Sequence, residues 1–284
     1  MLDDLTGQDR IKKLLNELLN VGFYTVMAPE FWARVICEWH LKTLELKGEK
    51  VTVKVKRMTE FPKEFDDIFH EFVSGFDCPQ VKGLYVHGSF ATGNYVLSSD
   101  LDLSVILYDP IDTEVLLTLR DKIKNIHDLL WIIDPKCHHG PYFMTEKMLG
   151  NYLECYLPID VWKESKCLVG PENVEFNVIK SEEHDKAEFE RSVDYYNRLI
   201  PPDTLYDKKR FVCMANMIPA VVYPWKTGKY TTKYRAMLWM WRQYPFTYKW
   251  GEEILLRRMK NDYENIDGLI EETKAICNRI RGKE

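Results

Sequence analysis

The sequence predicts an α+β fold, in which a small mixed β-sheet is flanked by helices and followed by an all-helical C-terminal domain. Two short apolar runs with β-branched residues, at 83–89 and 100–109, predict neighbouring strands in the middle of the chain. Apolar residues at helical spacing occur on both sides of these runs. We therefore divide the chain into an N-terminal helical extension at 1–75, a central domain at 76–180 and a C-terminal helical domain at 181–284.

The N-terminal extension is predicted to contain three helices and one strand. Isoleucine and leucine residues at helical spacing indicate a helix in 1–20. Pro29 suits the first position of a second helix, where the missing N–H would have no partner. Residues 51–56 read VTVKVK, and this strict alternation predicts a half-buried strand. Pro62 opens a third helix that ends near Gly75.

After the two central strands, apolar spacing predicts a helix at 113–132. The segment 137–145 is predicted as a third strand, in which Pro141 favours a sheet edge or a bulge. We expect helix from about 146 to 168, interrupted at Pro158, and one long amphipathic helix at 251–281. Four tryptophans of the C-terminal part have helical spacing and are expected in its core: Trp225, Trp239, Trp241 and Trp250.

Composition argues against several classes of protein. The chain has 284 residues with 39 basic and 44 acidic side chains, a net charge of −5 that argues against broad binding of nucleic acid. Seven cysteines without a C-x-x-C pair argue against a zinc site or a disulfide framework. The N-terminus lacks the layout of a signal peptide, and no apolar run approaches the roughly 20 residues that span a bilayer. We expect a cytoplasmic protein without a membrane partner.

The stretch 84–108 contains the polar groups that indicate chemistry. Asp100 and Asp102 are predicted at the start of a strand, where residues two apart point to the same face. Two such carboxylates repel each other unless a cation binds them, and oxygen ligands at an open site suit Mg²⁺. Gly88 and Ser89 end the preceding strand. Glycine there allows close approach of a phosphate, and a helix start offers N–H donors to an anion.

This pattern, G-S-x₁₀-D-x-D between two strands, resembles the signature of the polymerase-β-like nucleotidyltransferase superfamily. The resemblance implies the fold of that family, the use of Mg²⁺, and transfer of a nucleoside monophosphate from an NTP with release of pyrophosphate. It also implies that Asp100 and Asp102 are catalytic and bind the metal. Gly88 and Ser89 then bind the nucleotide.

Two later segments, LVGPE at 168–172 and the tryptophan-rich 223–241, resemble the antibiotic adenylyltransferases of the streptomycin/spectinomycin type. The resemblance implies ATP as the nucleotide and a hydroxyl of a small molecule as the acceptor, which the modest length and negative charge also favour. Lys229, Lys233 and Arg235 can reach a triphosphate from the helical domain, although such residues more often form a solvated face. We take Lys233 as the nucleotide-binding candidate.

The resembling family usually adds a third carboxylate on the strand beside the acid pair, and the matching segment 137–145 contains none. Asp134 precedes that segment, and Asp160 would serve only if its surroundings formed a strand. His138 or His139 can occupy the place instead. We prefer His139 as the catalytic candidate, because neutral imidazole can act as a general base. Two histidines hydrogen-bonded at a sheet edge remain an equal alternative, since histidine is a poor Mg²⁺ ligand.

Two other functions stay open at this point. The same fold can act on a protein or an RNA end instead of a small molecule. The missing third acid also allows a protein that binds a nucleotide without catalysis. In the enzymatic reading we expect the active-site cleft between the central sheet and the C-terminal helices. The sequence leaves the oligomeric state unspecified.

Overall fold

The computed structural model describes residues 48–60, 66–76, 79–95, 99–109, 142–154, 157–179 and 182–282. The helices predicted in 1–20, at Pro29 and at 113–132 lie outside these residues. The chain forms two compact units. The sheet unit extends to Glu154 and includes Val161–Ile179, and the helical unit combines Cys155–Asp160 with the chain from Lys180 onward.

Both sheets belong to the sheet unit. The strands in the described part of the chain are β1 (Glu49–Lys54), β2 (Lys56–Arg57), β3 (Val81–Val86), β4 (Leu103–Leu107), β5 (Tyr142–Thr145), β6 (Tyr152–Leu153), β7 (Lys166–Val169) and β8 (Asn173–Ile179). The larger sheet has the order β2-β7-β3-β4-β5, and the smaller has the order β1-β8-β6. Strand β3 is antiparallel to both of its neighbours, whereas β4 and β5 run parallel. The larger sheet is therefore mixed, as predicted.

One aromatic side chain fills the space between the two sheets. The helices near the sheets are α1 (Asp66–Gly75), α2 (Gly88–Thr92), α3 (Glu146–Leu149) and α4 (Ile159–Glu164). Trp162 on α4 is fully buried, and its ring centroid lies 5.3 Å from Tyr85 of β3 and 5.1 Å from Phe176 of β8. Its indole Nε1 donates a hydrogen bond of 2.8 Å to the hydroxyl of Tyr152. Because the indole N–H is satisfied, the large ring is buried without an unpaired donor.

The helical stretch predicted from about 146 to 168, with an interruption at Pro158, is right only for α3 and α4. The segment forms two short helices, α3 and α4, and two strands, β6 and β7. Strand β7 lies between β2 and β3, so its apolar residues Cys167 and Leu168 are buried by pairing with distant strands. A short apolar run has no period that separates a buried strand from a buried helix, and here the long-range pairing decides.

The helical unit consists of α5 (Glu182–Arg198), α6 (Leu205–Ala215), α7 (Ile218–Thr227), α8 (Lys233–Gln243), a 3₁₀ turn (Pro245–Thr247), α9 (Tyr248–Lys260) and α10 (Asp267–Arg281). Trp250 lies in its core, and the other three tryptophans pack against that core, as expected. The single helix predicted at 251–281 is wrong, because Asn261 and Asn265 adopt left-handed backbone angles (φ 52° and 49°) that break it. Asparagine tolerates this region better than most residues.

The predicted α+β fold class is confirmed by a small mixed sheet with flanking helices and a helical C-terminal region. None of the helices within the described ranges has the length and apolar character that crossing a membrane requires.

Candidate active site

The glycine-serine turn and the acid pair lie side by side because β3 and β4 are antiparallel neighbours. The last pair of their register joins Val86 to Leu103. The backbone N–H of His87 then donates a 2.8 Å hydrogen bond to the carbonyl of Asp102, which extends the pairing one residue further. His87, which precedes Gly88, is thus hydrogen-bonded to the backbone of Asp102.

Gly88 is required at this point by both its backbone angle and its surroundings. Its φ is +62°, which a residue with a Cβ rarely adopts. A Cβ built on Gly88 would also overlap the Oδ2 atom of Asp102. Gly88 begins α2, and Ser89 is buried in the first turn of that helix. The structure therefore brings Gly88 and Asp102 into direct contact, with Ser89 next to them.

Asp100 and Asp102 precede the regular strand instead of beginning it. Strand β4 starts at Leu103, three residues later than the sequence predicts. Burial alternates through this stretch, since Leu101 and Leu103 are buried while Asp100 and Asp102 are half-buried. The alternation is that of extended backbone with both carboxylates on one side. Within the described ranges, no group of three or more His, Cys, Asp or Glu side chains could hold a metal ion.

Tyr142 is a neighbour of the acid pair that the sequence did not single out. It is the first residue of β5 and pairs in register with Ser104, two residues beyond Asp102. Burial raises the pKa of the Tyr142 hydroxyl, and the negative charges of Asp102 and Asp100 raise it further. Both carboxylates therefore act on this phenol. The available signal was its place within 137–145, the strand predicted beside the acids.

His87 fixes the end of β3 through two side-chain hydrogen bonds. Its ring nitrogens lie 2.5 Å from Ser165 Oγ and 2.7 Å from Ser104 Oγ. Because the Ser165 hydroxyl donates to the Val161 carbonyl, it accepts from His87 Nδ1–H, and Nε2 then accepts from Ser104. Burial lowers the pKa of His87 to about 4, although the charge of Asp102 opposes the shift. The imidazole is therefore neutral and serves as a structural link.

We call the group formed by Asp100, Asp102, Ser104, His87 and Tyr142 the acid-pair face. On adjacent strands, residues in register share a face, and Tyr85 of β3 pairs with Ser104. His87, two residues after Tyr85, is hydrogen-bonded to Ser104 from this side. The ring of Trp162 meets His87 edge-on, with centroids 4.7 Å apart.

The other candidate site residues lie either outside the described residues or away from the acid pair in the chain. His139 lies outside the described residues, as do His138 and Asp134. Asp160 lies on helix α4, where its Oδ2 accepts a 2.8 Å hydrogen bond from Thr231 and lies 3.5 Å from Arg235. Lys233 is the first residue of α8 and is half-buried, with its ammonium 5.4 Å from the ring of Tyr234. A role of Lys233 in nucleotide binding stays a prediction.

Comparison with known proteins gives one family match. Residues 75–150 match the family described as polymerase beta, nucleotidyltransferase. No curated protein sequence matches the chain. A solved structure of spectinomycin adenyltransferase from Enterococcus faecialis, with ATP and spectinomycin, aligns at a TM-score of 0.43 and 16% identity, covering 78% of this chain and 98% of that one.

The family match contains the whole glycine-serine and acid-pair pattern. Gly88, Ser89, Asp100 and Asp102 all fall within 75–150. The same span contains β3, β4 and β5, whose order places the turn against the acids. Residues 75–150 are therefore a domain that matches the polymerase beta, nucleotidyltransferase family.

Proposed function

We propose that this protein transfers a nucleoside monophosphate from a metal-bound NTP, with ATP expected, to a hydroxyl of a small-molecule acceptor and releases pyrophosphate. The contact between the Gly88 backbone and the Asp102 carboxylate supports this proposal most directly. It brings the turn that would accommodate phosphates next to the carboxylates that would bind a cation. A metal–triphosphate complex needs both of these at short range.

The two carboxylates of the acid-pair face fit Mg²⁺. Asp100 and Asp102 offer carboxylate oxygens from half-buried positions that ligands can reach. Mg²⁺ commonly takes one or two carboxylates from a protein and fills its remaining positions with water and substrate phosphates. When bound, the metal would neutralise phosphate charge and favour departure of pyrophosphate. Asp100 and Asp102 would hold it.

The other residues would position the reactants. Gly88 leaves room for the Asp102 carboxylate because it has no side chain, so that its backbone would lie beside the phosphates of a metal-bound NTP. Ser89 adds a backbone N–H at the start of α2 and a hydroxyl. The acceptor hydroxyl would attack the α-phosphorus, so that a new P–O bond forms, the bond to pyrophosphate breaks and the hydroxyl proton passes to water.

A small acceptor is supported by the charge of the whole chain. The net charge of −5 gives little electrostatic attraction for a long nucleic acid. The acidic excess favours a cationic or neutral acceptor, because such molecules are not repelled. The cytoplasmic location expected from the sequence stays a prediction.

The test is pyrophosphate release with Mg²⁺, each of the four NTPs and a panel of hydroxyl acceptors, including amino-sugar antibiotics. We expect turnover that Asp100→Asn combined with Asp102→Asn lowers by at least about a thousandfold, since that variant loses both carboxylate ligands. Asp67→Asn is the matched control, because Asp67 is an exposed acid on α1 of the same unit. Turnover that survives the double substitution would refute the mechanism. Nucleotide binding without turnover of any acceptor would favour a non-catalytic protein.

A further inference from the structure

Tyr142 occupies a position beside the acid pair that the proposed mechanism does not yet use. In the sheet order β3-β4-β5, the glycine-serine turn lies on one side of Asp102 and Tyr142 lies on the other. Tyr142 pairs with Ser104, and Ser104 shares a face with Asp102, two residues before it. The tyrosine side chain therefore points to the same face as the carboxylates.

The chemistry of this side chain differs from that of the two acids. A phenol keeps its proton at neutral pH even in water. A protonated phenol is a poor ligand for Mg²⁺, which prefers carboxylate, phosphate and water oxygens. Its hydroxyl is a good hydrogen-bond donor, and the acceptors that reach this face with the metal are phosphate oxygens.

We propose that Tyr142 is a further substrate-binding residue of this site, whose hydroxyl donates a hydrogen bond to the metal-bound triphosphate. Because a phenol adds no charged ligand to the two carboxylates, the described residues of this face bind a divalent cation tightly only together with the nucleotide. This inference rests on the proposed function. According to this inference, β5 contributes Tyr142 to the binding of the metal–nucleotide complex.

The test installs a carboxylate at this position and measures metal binding directly. Titration calorimetry with Mn²⁺ alone and with Mn²⁺ plus α,β-methylene-ATP would compare the wild type, Tyr142→Glu and Tyr108→Glu. Tyr108→Glu is the matched control, since Tyr108 is exposed just beyond the far end of β4, about 20 Å along the chain from Asp102. We expect Tyr142→Glu to bind Mn²⁺ alone at least about tenfold more tightly, because affinity rises with the number of charged ligands. Tyr108→Glu should match the wild type.

Equal Mn²⁺ affinities for Tyr142→Glu and the wild type would overturn the inference. If three unneutralised carboxylates prevent Tyr142→Glu from folding, Tyr142→Phe decides instead. It keeps the ring and loses only the donor, so binding of Mn²⁺ with the analogue should weaken about fivefold while binding of Mn²⁺ alone stays the same. Unchanged analogue binding in that variant would also overturn the inference. A wild type that does not bind the analogue with Mn²⁺ would instead refute the proposed function, so the two failures are distinguishable.

Discussion

The two compact units bury different groups around their central aromatic residues. In the sheet unit, Trp162 packs against His87, whose two nitrogens are bonded to the buried hydroxyls of Ser165 and Ser104. In the helical unit, Trp250 lies in a cluster of hydrophobic side chains and makes one polar contact, from its Nε1 to Thr273 Oγ1 at 2.8 Å. Burying linked polar groups costs free energy unless every partner is present.

The sheet unit is therefore the one in which linked polar groups are buried beside its central aromatic residue, at a cost in free energy. The hydrogen bonds of His87 lie next to the turn and the acids, where they fix the end of β3 against β4. The hydrophobic cluster of the helical unit stabilises its helices by packing. Substitutions in the first region should therefore change the site, whereas substitutions in the second should change stability alone.

Trp250→Ala should give the largest loss of stability. Trp250 is fully buried, and its removal leaves a cavity and takes away the hydrogen bond from its indole to Thr273 Oγ1, so we expect a loss of about 3–5 kcal/mol in the free energy of unfolding. Urea unfolding followed by circular dichroism would measure it. Tyr248→Ala on the same helix is the control, since Tyr248 is 50% exposed. Mn²⁺ binding to the folded Trp250→Ala variant should be unchanged, and weaker binding would contradict the distinction.

Gly88→Ala should disrupt the site more than the fold. The new Cβ overlaps Asp102 Oδ2 and shifts that carboxylate, so we expect binding of Mn²⁺ with α,β-methylene-ATP to weaken by about a hundredfold, roughly 2.7 kcal/mol. Gly93→Ala is a close control. Gly93 also has a positive φ, of +75°, but a Cβ there meets nothing within 4 Å. Both variants should lose about 1 kcal/mol of stability through backbone strain. Equal nucleotide binding by the two variants would show that the overlap with Asp102 is unimportant.

Ser165→Ala should destabilise the sheet unit moderately. It leaves the buried Nδ1–H of His87 without the acceptor at 2.5 Å, which costs about 1–3 kcal/mol in the free energy of unfolding. Ser192→Ala provides the comparison, because the Ser192 hydroxyl bonds only to the Glu188 carbonyl within its own helix. We expect a change below about 0.5 kcal/mol for that variant. Similar unfolding midpoints for both variants would mean that the His87 link contributes little.

Glu188 should give the smallest effect, visible as a change with pH. Burial raises the pKa of Glu188 above its ordinary value, and the Arg191 guanidinium beside it offsets only part of that shift. As pH rises through the ordinary value of about 4.5, the unfolded chain loses this proton before the folded chain does, so stability falls until the folded group also ionises. Glu188→Gln should remove that decline in urea unfolding measured between pH 4 and 7. A decline of the same size in the variant would assign it to other groups.

The parts of the fold with strong local patterns were predictable. Alternation at 51–56 predicted β1, found at Glu49–Lys54, and the apolar run at 83–89 predicted β3, found at Val81–Val86. Strands β6 and β7 were mistaken for helix, because they are only two and four residues long. Their conformation comes from pairing with β8 and with β2 and β3, and residues so distant in sequence leave no local period.

The residues of the candidate site also differ in whether a local sequence pattern identifies them. Gly88 and Asp102 were identified from spacing, because a turn between antiparallel neighbours brings residues of one stretch together. Tyr142 was not identified, since its place beside Asp102 depends on a parallel pairing reached after a long connection. His87 was not identified either, because its role depends on Ser165, which is 78 residues away. No short motif contains such partners.

The amino-acid sequence alone was enough to predict the fold class, the positions of the central strands, and a glycine-serine turn followed by an acid pair. These follow from periodicity and from chemistry within one continuous stretch. Only the tertiary structure decided that Asp102 touches Gly88, that a neutral histidine fixes the turn, and that a phenol is the neighbour of the acids on β5. The order of strands in a sheet sets these contacts, and that order is fixed by burial and hydrogen bonding between segments far apart in the chain.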